Sequence, residues 1–281
     1  MKNIPKILHI YWDKSPMSWL QTRTVTTFHK HNPDWEIRLY LPIQEYTRSA
    51  KYIPDYTGTD YFYLIKELDY VTFINVDINK YGIDKDLHNI LRSDILRYNL
   101  LYDHGGLWCD FDILWLKPIK DLKSSKTVGK APVTKMGASL CMFQTVKGHH
   151  NIAIMFAKPK HPMYKAFIEE TTRLQKKKKN KDTFNHQEFG TDMLGIMYPE
   201  FGDAEELYDD LVGFDYKVFY PYSIFGLEEL YHKTNLSLID KDVICIHWFN
   251  GHKYSKNYVN NEGFEKDCSM TRILTKIGEI N

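Results

Sequence analysis

With 43% hydrophobic and 26% charged side chains over 281 residues, the composition is that of a folded globular protein and excludes intrinsic disorder. Its 37 Lys and Arg stand against 36 Asp and Glu, so no global field favours nucleic acid or an anionic membrane as the main partner. Cys109, Cys141, Cys245 and Cys268 lie far apart with no CxxC pair, which argues against a zinc knuckle or a disulfide scaffold and points to a reducing cytoplasm.

The opening MKNIPKILHIYW is interrupted too soon by His9 and Asp13 to be a signal peptide, and no later stretch approaches a transmembrane segment. Ile7 to Trp12 reads as a buried strand, Ser15-Pro16 as the start of a helix reaching His31, and Trp35 to Leu41 as a second strand. The crossover rule makes these strands parallel, the opening of a Rossmann-like α/β unit. Tyr46 to Asp86, with Pro54 and Gly58 as breakers, reads as irregular with short helices.

Leu87, Ile90, Leu91, Ile95, Tyr98, Leu101 and Tyr102 recur at helical spacing, and Gly105-Gly106 ends that helix at His104. LWCDFDILWL then reads as a buried strand whose end or kink carries Asp110 and Asp112. Beyond it, the pattern predicts a strand at Ala138 to Val146 and helices at Ile152 to Ala157, Pro162 to Gln175, Gln187 to Tyr198 and Asp203 to Leu211. A last strand, Val243 to Ile246, runs into His247-Trp248. Lys176 to Lys179, extended by Lys181, is read as a solvated helix end, with peripheral contact to an anionic surface as the sharper alternative.

Asp-x-Asp occurs at Asp84/Asp86, Asp110/Asp112 and Asp240/Asp242, and only the middle pair interrupts an apolar run. In an extended chain its carboxylates would point to one side, within reach of a shared cation. Like charges held so close require compensation, and hard oxygen ligands favour Mg²⁺ or Mn²⁺. The alternative is a strand-end pair that caps loop amides. Asp94 and Arg97, three apart on the preceding helix, are either a simple salt bridge or part of the same assembly.

The run SDILRYNLLYDHGGLWCDFDILWLKPI, Ser93 to Ile119, resembles the signature of glycosyltransferases with a DxD sugar-binding region. These include yeast initiating mannosyltransferases, capsular-polysaccharide enzymes and clostridial glucosylating toxins. The resemblance implies a GT-A Rossmann-like mixed sheet flanked by helices, with additional helices in the C-terminal half. Residues 1–281 would form a single domain, 1–120 holding the nucleotide-sugar and 121–281 facing the acceptor.

It further implies transfer from a UDP- or GDP-sugar to a glycan or other hydroxyl acceptor, with retention of configuration, as in polysaccharide biosynthesis. Asp94 and Arg97 would hold sugar hydroxyls, Asp110 ribose and sugar, and Asp112 the metal. Ile4 to Trp12 is similar to the family's first strand, which places Ile10, Tyr11 and Trp12 by the nucleotide with Trp12 stacked on the base. Asn151 to Pro162 is similar to the stretch bordering the sugar pocket, which brings in Asn151.

IHWFNGHKY looks like the family's closing end, implying His247 as a further metal ligand and Trp248 and Lys253 near the diphosphate. Paired His and a Ser-Trp after the glycine are replaced here by Trp248, His252 and Lys253. Glu188 and Asp192 stand where the family approaches the reacting carbon, and are otherwise helix N-terminal acids. Two other classes remain open: a haloacid-dehalogenase-like phosphatase, lacking the expected Thr or Ser two residues after Asp112, and a calcium-dependent lectin, which would be built from many short strands.

Overall fold

The computed structural model describes residues 3–44, 56–122, 127–128, 131–142, 149–178, 181–261 and 263–281. The chain opens with strand β1 (Ile7–Tyr11), helix α1 (Trp19–His31), strand β2 (Glu36–Pro42), helix α2 (Phe62–Lys66) and strand β3 (Val71–Val76). Helix α3 (Asn89–His104) leads into β4 (Gly106–Cys109) and β5 (Ile113–Trp115). There follow β6 (Thr127–Val128), β7 (Ala138–Met142), β8 (His150–Asn151) and β9 (Ile154–Ala157). Helices α4 (Pro162–Lys177), α5 (Thr191–Met197) and α6 (Phe201–Glu205) precede β10 (Leu211–Asp215), and helix α7 (Leu227–Tyr231) precedes β11 (Cys245–His247). Helices α8 (Lys253–Asn260) and α9 (Ser269–Lys276) close the chain.

Among the described residues the main sheet runs β3-β2-β1-β4-β9-β7-β10-β6, with β8 paired to β7. Strands β3, β2, β1 and β4 are mutually parallel, whereas β9 lies antiparallel between β4 and β7, so the sheet is mixed. One apolar cluster joins Leu8, Ile10, Val25, Phe28, Leu107 and Phe156, and another joins α3 and α4 through Leu91, Ile95, Tyr98, Tyr164 and Phe167. A third, with Leu20, Leu114, Tyr231, Trp248 and Leu274, ties the C-terminal helices to α1 and β5.

The parallel β1-α1-β2 opening is as expected, but α1 begins at Trp19, later than Ser15-Pro16. Ser18 caps it through a reciprocal box with Gln21, an arrangement that contributes about 1 kcal/mol and fixes the start. Tyr46 to Asp86 holds an unforeseen strand, β3, while residues 45–55 lie outside the described set. The alternation of VTFINV is blurred because β3 is an edge strand with Phe73 facing solvent.

Ile152 to Ala157, expected to be a helix, instead holds β9. Its short apolar run is buried along its whole length between two strands, where period-3.6 reasoning has too few residues to work with. Asp203 to Leu211 likewise divides into α6 and the start of β10. The strand at Ala138 ends at Met142, and residues 143–148 are outside the described set.

Gly105-Gly106 ends α3 as expected, with φ of 64° and 98°. A Cβ on Gly105 would sit 2.7 Å from the Pro159 nitrogen and one on Gly106 2.5 Å from the Ile7 carbonyl oxygen. Only glycine lets the chain turn this tightly from α3 into the centre of the sheet.

Candidate active site

The kink expected within LWCDFDILWL falls at the two acids. Strand β4 ends at Cys109, residues 110–112 form a turn, and β5 leaves the main sheet to pair with β11. The break has a structural cause: the Asp110 amide donates to the Ala153 carbonyl at 3.0 Å, and the Trp248 amide to the Asp112 carbonyl at 2.9 Å. The two carboxylates therefore lie at the C-terminal end of β4 but belong to different hydrogen-bond networks, which corrects the picture of two acids on one strand face.

Asp110 is bound to the α3 side. Its Oδ1 accepts from Trp108 Nε1 at 2.8 Å and from Arg97 Nη2 at 3.0 Å. The same Nη2 lies 2.9 Å from Asp94 Oδ1, and Arg97 Nη1 donates to the Ile152 carbonyl at 2.5 Å. Burial pushes Asp94 up to about 7, with Arg97 opposing and Asp110 adding to the rise. Burial works against the Arg97 charge, but Asp110 and Asp94 outweigh it and hold the guanidinium protonated.

Asp112 belongs to the C-terminal side. Its Oδ2 accepts from the Asn250 amide at 2.9 Å, and His247 Nε2 lies 3.1 Å from Oδ1 without alignment as a hydrogen bond. Burial alone would raise Asp112, yet His247 and the Asn250 amide hold it below the ordinary carboxylate range. Burial raises Asp110, with Asp112 adding to that and Arg97 opposing it. The pair is thus electrostatically unequal.

A cleft of ≈ 660 Å³ opens over this turn, lined among others by Tyr11, Trp12, Arg97, Asp110, Asp112 and Lys256. It lies at the C-terminal ends of β1 and β4, where open α/β sheets bind ligands. Trp12 donates its Nε1 to the Ser15 carbonyl at 2.8 Å and meets Phe111 edge-on with ring centroids 5.0 Å apart.

Other expected residues stand apart from the cleft lining. Ile10 and Trp248 are fully buried, and the Trp248 carbonyl accepts from Tyr231 and Ser255 hydroxyls, so Trp248 anchors the loop behind Asp112. Lys253 begins α8 and is exposed, its Nζ 5.2 Å from the Tyr254 ring centroid. Glu188 pairs with Lys178 at 2.6 Å, and Asp192 accepts from Asn185 at 3.0 Å. Asn151 is half-buried on β8.

At the His-Pro end of the stretch from Asn151, His161 caps α4 and pairs with Asp210 at 3.0 Å rather than lining the cleft. Of the lysine-rich run, Lys178 is held by Glu188 and Lys181 lies 3.3 Å from Asp84, so these charges are engaged within the fold. Lys179 and Asn180 lie outside the described residues.

Asn89, Asn250 and Lys256 line the cleft and were not anticipated. The signal for Lys256 was a lysine on the buried face of an amphipathic helix, beside Ser255, Tyr258 and Val259. Asn250 carried only its position three residues after His247.

Among the described residues no three His, Cys, Asp or Glu side chains converge to hold a metal, because Asp110 Oδ1 is turned to Arg97 and Trp108. At the turn, Asp112 Oδ1 and Asn250 Oδ1 are buried acceptors without a hydrogen-bond partner, and His247 Nε2 lies 3.1 Å from Asp112 Oδ1. Two ligands at right angles on an ion with bonds of about 2.1 Å lie about 3 Å apart, so the His247–Asp112 spacing of 3.1 Å fits a shared divalent cation.

Residues 18–129 match a family model described as a glycosyltransferase sugar-binding region containing a DXD motif. Solved structures resembling the chain include the PaToxG glycosyltransferase, at 18% identity over 73% of this chain and 74% of that one, with a TM-score of 0.46. An active-site mutant of LgtC shares 12% identity over 92% of this chain and 95% of its own, with a TM-score of 0.48. The apo form of the glycosyltransferase GlyE of Streptococcus pneumoniae TIGR4 shares 12% over 93% and 64%, at 0.49. No curated protein matches the chain significantly. The matched region contains Asp94, Arg97, Asp110 and Asp112, so this part of the chain carries the DxD sugar-binding region of glycosyltransferases, which favours neither the phosphatase nor the lectin alternative.

Proposed function

We propose that this enzyme transfers a sugar from a UDP- or GDP-sugar to a glycan or other hydroxyl acceptor with retention, using Mn²⁺ or Mg²⁺ held by Asp112, Asn250 and His247. The observation that carries this reading is that Asp112 and Asn250 both line the cleft with a buried Oδ1 that has no hydrogen-bond partner, His247 Nε2 lying 3.1 Å from Asp112 Oδ1. Buried acceptors are costly without a donor or a cation, and one ion compensates all three groups. When bound, such an ion neutralises the diphosphate leaving group.

Placement supports the remaining roles. Asp110, clamped by Arg97 and Trp108, presents a side chain about a third exposed (31%) toward the cleft, where it orients ribose and sugar hydroxyls. Arg97 reaches the cleft itself, whereas Asp94 is only 2% exposed behind it and acts through the guanidinium. Lys256 lines the cleft together with Asn250, whose amide meets Asp112, and supplies positive charge for the diphosphate. Tyr11 and Trp12 take the nucleoside end.

We place the protein in a reducing compartment, since all four cysteines are buried free thiols. Among the described residues no helix is long and apolar enough to cross a membrane. A thermal-shift screen of UDP-, GDP-, CMP- and dTDP-sugars with and without Mn²⁺ tests the reading by mass action. Stabilisation by a UDP- or GDP-sugar only with the metal is expected. Equal stabilisation in excess chelator would overturn the metal assignment.

A further inference from the structure

Phe249 stands between two backbone groups that bind Asp112. The Trp248 amide donates to the Asp112 carbonyl at 2.9 Å, and the Asn250 amide to Asp112 Oδ2 at 2.9 Å. Between them Phe249 has a φ of 53°, a left-handed conformation that is costly for a bulky side chain. Asn250 and Gly251, residue types that adopt this conformation readily, follow at once, so a turn here does not by itself call for phenylalanine. What phenylalanine adds is its ring.

That ring meets the His247 imidazole edge-on, with centroids 4.0 Å apart and planes at 85°. Tyr220 packs on the same imidazole at 5.1 Å and lies 6.3 Å from Phe249. Among the described residues His247 Nδ1 is buried with no hydrogen-bond partner, and so is the Tyr220 hydroxyl. A ligating imidazole is ordinarily aimed by a hydrogen bond from its second nitrogen. Here aromatic packing takes over that task, limiting rotation of the imidazole while Nε2 sits 3.1 Å from Asp112 Oδ1.

We propose that Phe249 is a positioning residue for the cation site, its ring holding the His247 imidazole so that Nε2 faces Asp112. This rests on the cation assignment above. The left-handed backbone at Phe249 places an aromatic edge against His247 while the chain passes between its two amide contacts to Asp112. Phe249 also packs against two of the apolar clusters, so loss of its ring lowers stability as well as disturbing His247.

The test is Mn²⁺ affinity of the full chain with UDP or GDP present, read from the paramagnetic resonance signal of the free ion. It compares wild type, Asp112→Asn, His247→Ala, Phe249→Gly, Phe249→Tyr and the double variant Phe249→Gly/His247→Ala. Glycine takes the left-handed backbone without strain, so Phe249→Gly removes the ring and keeps the turn. It should weaken Mn²⁺ binding by about ten-fold, whereas Phe249→Tyr, which keeps the ring, should bind as wild type does. In the His247→Ala background Phe249→Gly should weaken binding no further, because its effect passes through the imidazole. An equal loss in both backgrounds would show a merely structural role and overturn the proposal, as would unchanged affinity in His247→Ala. Should Phe249→Gly fail to fold, Phe249→Leu decides by the same comparison. If Asp112→Asn weakens binding and Phe249→Gly does not, positioning by Phe249 is wrong while the cation assignment stands. If wild type binds no Mn²⁺, both are wrong.

Discussion

Arg97 Nη2 lies 3.0 Å from Asp110 Oδ1 and so fixes one acid of the DxD turn to helix α3. Arg97 is 2% exposed and bridges Asp110 and Asp94, so removing its guanidinium leaves the buried Asp94 and the part-exposed Asp110 without their cation. Arg97→Met should therefore lower unfolding free energy by about 3–5 kcal/mol, read from urea denaturation. Arg97→Lys keeps the charge but not the two-armed geometry, and its transfer rate should fall by about 100-fold or more. Near wild-type turnover in Arg97→Lys would contradict the clamp.

The buried partner Asp94 makes stability depend on pH. Its folded pKa of about 7 lies above the ordinary 3.8, so between those values the native state binds the proton more tightly than the unfolded chain. Its contribution to stability is therefore greatest below about pH 4 and declines as pH rises toward 7. Asp94→Asn carries no such titration, and its melting temperature should fall less than that of wild type between pH 5 and 7.5. Parallel pH profiles would show that Asp94 does not titrate in this range.

Two glycines should respond in opposite directions. Gly105→Ala places a Cβ against the Pro159 nitrogen and Ala157 carbonyl at positive φ, and should cost about 2 kcal/mol or more in chemical denaturation. Gly202→Ala, on helix α6 with no atom within 4 Å of the added Cβ, should instead stabilise by about 0.5–1 kcal/mol. Equal effects would mean that the close α3-to-β4 turn does not constrain the fold.

What could be read from the sequence follows the strength of local signals. Helix α3 announced itself through sustained 3.6 periodicity and a glycine stop, and β1 and β2 through apolar runs separated by a helix. Strand β9 was not recognisable because four buried apolar residues carry no period. The DxD pair was visible as acids inside an apolar run, but its division between Arg97 and His247 was not. That division depends on contacts to Ile152, Trp248 and Asn250, residues 55 to 138 positions away in the chain from their partners once α3, β9 and β11 assemble. Asn89, Asn250 and Lys256 were hidden for the same reason, being polar residues whose surroundings are set by tertiary packing.

The most direct test of the account is Mn²⁺ binding followed by electron paramagnetic resonance, with UDP or GDP present, in wild type, Asp112→Asn and Asn250→Leu. Loss of the free-ion signal in wild type is expected, with affinity reduced by about ten-fold or more in both variants while their melting curves stay cooperative. Unchanged Mn²⁺ affinity in both variants would contradict the assignment of the cation to the Asp112 side of the turn.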